Sequence, residues 1–134
     1  MDEFLVVVEE ADKSSKSTRR IYSSKVLEDQ VARLKSDVDN GRLLGELGTP
    51  DGVAINFSRV SHIITDLFMS EGRLMAKIKV LKTPCGKVLE TLLSEGVKID
   101  FRMAGVGNGK VNDDGYLVVG DNYKLSQIFA FSEQ

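Results

Sequence analysis

Val60 to Met69 is rich in β-branched and apolar residues, Ser70-Glu71-Gly72 reverses the chain, and Arg73 to Leu81 runs back. In the returning arm Leu74, Ala76, Ile78 and Val80 alternate with Arg73, Met75, Lys77 and Lys79. Side chains on a strand point to opposite faces in turn. A period of two over this length therefore predicts a β-hairpin with one apolar face and one largely basic, wet face.

Shorter strands are predicted around it. Phe4 to Val8 is a β-branched run bounded by charges and reads as a buried first strand, followed by the polar loop Asp12 to Thr18. Arg42 to Leu47 reads as a short strand ended by the reversal Pro50-Asp51-Gly52. Val97 to Met103, Lys110-Val111, Tyr116 to Val119 and Tyr123 to Phe131 follow between Gly- and Asn-rich turns. Two stretches have helical spacing instead. Leu27, Val31, Leu34 and Val38 recur on one helix face, with Ser23 or Ser24 available as a cap and Asn40-Gly41 as a left-handed stop. Thr83-Pro84 opens a second helix, whose stripe of Val88, Leu89, Leu92 and Leu93 ends at Gly96. At 134 residues and 14.8 kDa the chain is long enough for one core and too short for two ordinary ones. The expectation is a single α+β domain over residues 1–134: a small, mostly antiparallel β-barrel of six to eight strands with two or three flanking helices.

Eighteen Lys and Arg against twenty Asp and Glu leave a formal net charge of −2, which gives no general attraction to phosphate backbones or anionic membranes. Neither direct nucleic-acid binding nor a membrane partner is expected. Cys85, the single cysteine, cannot form an internal disulfide, and the N-terminus lacks the order of a secretory signal. Phe4 to Val8 falls far short of the ~20 residues that cross a bilayer. Synthesis in a reducing cytoplasm is expected. With one His, one Cys and no CxxC or HExxH spacing, no metal site and no cofactor are expected.

Several motifs have a plainer reading than the chemistry they suggest. Gly105-Val106-Gly107-Asn108-Gly109-Lys110 has the glycines of a phosphate loop, but the spacing is wrong and Val111 replaces the magnesium-binding Ser or Thr; a glycine-rich hairpin turn fits better. Asn112-Asp113-Asp114-Gly115 lacks the alternating ligands of a calcium loop and reads as a turn. Cys85 opens a helix, where a thiol pKa can fall, yet no second histidine is available as its base. His62 is the only imidazole, so any histidine-based general base must be His62. Consecutive strand side chains diverge, so Ser61 is not expected to partner it, and a structural histidine is favoured.

In order along the chain, Arg20-Ile21-Tyr22, Lys25-Val26-Leu27, Gly45-Glu46-Leu47-Gly48-Thr49-Pro50, Val60-Ser61-His62, Thr83-Pro84-Cys85-Gly86-Lys87 and Gly105-Val106-Gly107 resemble the motifs of the prohead serine proteases of tailed bacteriophages. The resemblance spans residues 19 to 131. It implies their fold, a small β-barrel with flanking helices shared with the herpesvirus capsid maturation proteases. The chain departs where that family keeps its chemistry. Thr49 stands in the slot where the family's G-E-L-x-H-P element has its catalytic histidine. Arg102, Met103 and Ala104 stand where its S-S-R-G-x-G element has the nucleophilic serine and an arginine beside the oxyanion site. His62 corresponds to a secondary motif and remains a fallback base, which would need a serine such as Ser58 or Ser126.

A threonine hydroxyl does not accept a proton at neutral pH as imidazole does, and neither a thioether nor a guanidinium attacks a carbonyl as serine does. The resemblance with these departures implies a pseudoprotease, not an enzyme. The expected role is a non-catalytic phage structural protein that binds the major capsid protein or other head proteins, and decorates or stabilises the head. A homo-oligomer on the shell is open, and the expected location is the virion capsid. The alternatives are a transient capsid-assembly factor or an active prohead protease processing scaffold proteins. The first strand, Phe4 to Val8, and the loop after it are candidate contact elements, because a strand edge can pair with another chain.

Overall fold

The computed structural model describes residues 3–13 and 19–132. Most of the polar loop expected at Asp12 to Thr18 lies outside the described residues. The predicted hairpin is β4 (Val60–Ser70) and β5 (Arg73–Val80), reversed by Glu71 and Gly72, both left-handed with φ of 51° and 77°. With β1 (Phe4–Glu10) and β3 (Leu44–Glu46) it makes an antiparallel sheet in the order β1-β5-β4-β3. Leu74, Ala76 and Ile78 are fully buried, as the alternation requires. Met75, predicted on the wet face, is buried too, because Val7 and Phe68 lie opposite it on either side.

Two α-helices cover this sheet. In α1 (Ser24–Asp39) the Ser23 Oγ accepts the Val26 N–H at 3.1 Å, and the chain leaves through Gly41 at φ 68°. Its buried face carries Val26, Leu27, Leu34 and Val38 together with one amide, Gln30. In α2 (Pro84–Ser94) the Thr83 Oγ1 accepts the Gly86 N–H at 2.9 Å and donates to the Val60 carbonyl, tying the helix start to β4. Leu89 then enters the shared core beside Ile64 and Ile128.

The remaining strands form two smaller sheets. β6 (Asp100–Val106) pairs with β9 (Lys124–Phe131), while β2 (Arg20–Ile21), β8 (Leu117–Val119) and β7 (Gly109–Val111) lie in the order β2-β8-β7. The Gly105 to Lys110 stretch is accordingly not a hairpin turn. It carries the chain from one sheet to another, since β6 pairs with β9 and β7 with β8. The fold is mixed α+β and mostly antiparallel.

The closed barrel expected from the sequence is not found. Closure needs a continuous ladder at every strand pair. Hydrogen bonds here divide the described strands among three sheets. Beyond β3 the chain meets β9 at one bridge, Leu47 to Ala130, before Gly48 at φ 88° turns it away. On the other side β1 approaches β6 through the rings of Phe4 and Phe101, 5.8 Å apart, so side chains fill that seam.

Candidate functional site

His62 is fully buried, and so is Ser61. The imidazole Nε2 lies 2.7 Å from the Ile128 carbonyl, and Nδ1 lies 2.7 Å from Ser61 Oγ. A carbonyl can only accept, so Nε2 carries the proton and Nδ1 accepts from the Ser61 hydroxyl. The expectation that Ser61 points away from His62 is thus corrected. β3 and β4 pair Gly45 with His62 and Glu46 with Val60, which leaves Ser61 as an extra residue in a β-bulge, and a bulge re-aims side chains that strict alternation would separate. Burial lowers the His62 pKa to about 4, against the opposing effect of the Ile128 bond, so the ring is neutral at ordinary pH. Phe101 closes over it edge-on at 5.2 Å.

Glycine at position 45 is what permits this arrangement. A Cβ there would stand 2.1 Å from His62 Nε2 and 2.2 Å from the Ile128 oxygen. His62 is therefore a strut between β4 and β9. It bonds to neither Ser58, whose exposed hydroxyl donates to Asn56 Oδ1 at 2.6 Å, nor Ser126, which donates to the Ala104 carbonyl at 3.0 Å. The Cys85 thiol donates to the Ser58 carbonyl at 3.5 Å.

Thr49 and the Arg102-to-Ala104 stretch, far apart in sequence, do meet. They line one cleft of about 360 Å³. Thr49 and Pro50 form one wall, β6 from Arg102 to Gly105 forms the floor with Phe129 and Phe131 of β9, and Glu9, Arg20 and Tyr22 close the third side. Met103 turns largely into the core, while the Arg102 guanidinium stacks 4.2 Å above the Phe131 ring. Among the described residues lining the cleft, Thr49 and Tyr22 carry hydroxyls and Glu9 a carboxylate; no serine or histidine lines it. Among the described residues no group of metal-ligating side chains comes together.

Glu9 was not a sequence candidate. Strict alternation from the inward Phe4 and Val6 would send residue 9 to solvent with Leu5 and Val7. Pairing of Val7 with Met75 and of Glu9 with Leu74 leaves Val8 as a bulge, and Glu9 turns into the cleft. Burial raises its carboxyl pKa, opposed by the Glu10 N–H donated to Oε1 at 3.1 Å and by the charge of Arg102. The sequence marks Phe129 and Phe131 only as strand residues, and nothing local marks them as cleft residues.

Residues 7–129 match the sequence model of the family described as prohead core protein serine protease. The solved structure of the bacteriophage T4 capsid assembly protease superposes with a TM-score of 0.89 at 20% identity, over 98% of this chain and 81% of that one, and so shares the fold. No curated protein sequence matches the chain. The match to a family of serine proteases overturns the expectation that the chain is not an enzyme, which rested on the Thr49 and Arg102–Met103 slots alone. With nearly its whole length inside that match, this chain belongs to the prohead core protein serine protease family.

Proposed function

We propose that the protein acts during assembly of a phage head as a prohead protease. It takes an extended segment of a scaffold protein, or of the major capsid protein, into the Thr49–Arg102 cleft and cuts it there. One observation supports the reading: Thr49 and Arg102 to Ala104, remote along the chain and aligned by resemblance with the family's two chemical elements, line a single cleft. The cleft also has the composition of a peptide site, with aromatic surface from Phe129 and Phe131 beside charged groups.

Among the described lining residues Thr49 offers a hydroxyl and Glu9 a carboxylate, and a hydrolytic step in this cleft would need the first as nucleophile and the second as proton acceptor. Burial brings the Glu9 carboxyl closer to the range in which a general base is effective. A carboxylate is a weaker base than an imidazole, so cleavage is expected to be slow. Ala104 stands in the family's arginine slot and leaves the floor apolar at that point.

The test is incubation of the purified chain with the scaffold and major capsid proteins of its own phage, with fragments read by mass spectrometry. Cleavage by the wild type that is lost in Thr49→Ala and Glu9→Gln, and retained in Ser58→Ala, is the expected result. Intact substrates after prolonged incubation, also within assembled proheads, overturn the proteolytic reading. Copies in immature shells without any fragments would point to a transient assembly factor instead.

A further inference from the structure

We propose that Arg59 is the positioning residue of the cleft, a guanidinium fork that sets the backbone of the Thr49–Pro50 wall. The inference rests on the cleft being the substrate site. Beyond the bridge at Leu47 and two main-chain bonds, Leu47 N–H to the Arg59 carbonyl at 2.9 Å and Gly48 N–H to the Ala130 carbonyl at 2.6 Å, residues 47–51 have no regular structure to hold them. Arg59 supplies what is missing. Its Nη2 donates to the carbonyls of Leu47 at 3.1 Å and Thr49 at 3.0 Å, and its Nη1 donates to Asp51 Oδ2 at 3.3 Å. Two of the three acceptors are main chain, so the fork fixes the path of the backbone that carries the Thr49 side chain. The fit leaves no spare room: Gly48 has φ 88°, and a Cβ there would lie 2.8 Å from Arg59 Nη2.

The fork is itself held from behind. Glu46 is 1% exposed; its Oε1 makes no hydrogen bond but faces Arg59 Nε at 3.6 Å. Its Oε2 accepts from Gln127 Nε2 at 2.6 Å and from the Asn56 N–H at 3.3 Å, while its own N–H donates to Gln127 Oε1 at 2.9 Å. Gln127 belongs to β9, the strand that also presents Phe129 and Phe131 to the cleft. A continuous polar chain therefore runs from one wall, through Arg59, Glu46 and Gln127, to the strand that carries the floor. Lysine cannot replace arginine in this role, because a single ammonium does not reach separated acceptors in one plane.

The experiment compares wild type with Arg59→Met, Arg59→Lys and Gly48→Ala, the last keeping the guanidinium chemically intact while its methyl presses on the fork and strains the left-handed turn. Amide hydrogen exchange and cleavage of the scaffold protein are both read. In folded variants, Leu47 and Gly48 amides should exchange about tenfold faster or more, with β5 amides unchanged, as loss of charged hydrogen bonds implies. Cleavage efficiency should fall by about tenfold or more in all three, with Arg59→Lys no better than Arg59→Met, and with partial recovery of Arg59→Met by added methylguanidinium. Unchanged exchange at Leu47 and Gly48, or full activity in a folded Arg59→Met, overturns the inference. If wild type itself cuts nothing, the proteolytic reading fails while the exchange measurement still decides the role of Arg59.

Discussion

Ser61 Oγ lies 2.7 Å from His62 Nδ1 although the two residues are adjacent in β4. The bulge at Ser61 brings both side chains into the core, and other motif residues pack around the same point. Gly45 gives the His62–Ile128 bond its space. Gly86 lets the start of α2 approach the bulge, where a Cβ would lie 1.8 Å from the Leu81 carbonyl oxygen and 3.0 Å from the Ser61 carbonyl oxygen. Thr83 ties α2 to Val60, immediately before the bulge. Three of the six motifs that resemble the family in this chain thus meet at one buried junction.

Gly45→Ala tests that junction. Its new methyl would meet an imidazole nitrogen and a backbone oxygen that cannot both retreat. Overpacking together with a broken buried hydrogen bond is expected to cost at least about 3 kcal/mol. Urea denaturation measures it; a loss under about 1 kcal/mol would mean that the junction yields easily.

The single imidazole also makes a clean pH prediction. The unfolded chain binds a proton near pH 6.5, while folded His62 resists protonation until about pH 4. Stability is therefore greatest above pH 6.5 and falls as the pH drops toward 4, by about 3 kcal/mol from this group across the window. Nuclear magnetic resonance of the one histidine side chain provides the direct check. A midpoint near 6.5 in the folded protein would contradict the buried strut.

Gln30→Leu probes the link between α1 and β9. The Gln30 side chain donates to the Tyr123 carbonyl and accepts from the Leu125 N–H, each at 2.9 Å. Leucine fills similar space but leaves both backbone groups unpaired, at an expected cost of about 2–4 kcal/mol. Thermal and denaturant unfolding of the variant would show it, and a neutral result would mean that the two groups find other partners.

Much of the architecture was legible from short-range pattern. The β4–β5 hairpin followed from alternation and from Glu71-Gly72, and both helices began at their serine and threonine caps. Motif order singles out Thr49 and Arg102 to Ala104, and these residues share a cleft. Closure into a barrel was not legible, because it depends on whether distant edges align closely enough for a ladder. At β1 and β6, aromatic side chains occupy that gap.

The division has one physical cause. Caps, turns and alternation act between residues a few positions apart, so the chain announces them wherever they occur. A bulge depends on how two long-separated strands come into register, and one extra residue reverses the facing of those around it. Glu9 in the cleft and Ser61 against His62 are both products of such pairings, at Val8 and at Ser61 itself. No local run of amino acids encodes either, and both became visible only when β5 and β3 took up their places beside β1 and β4.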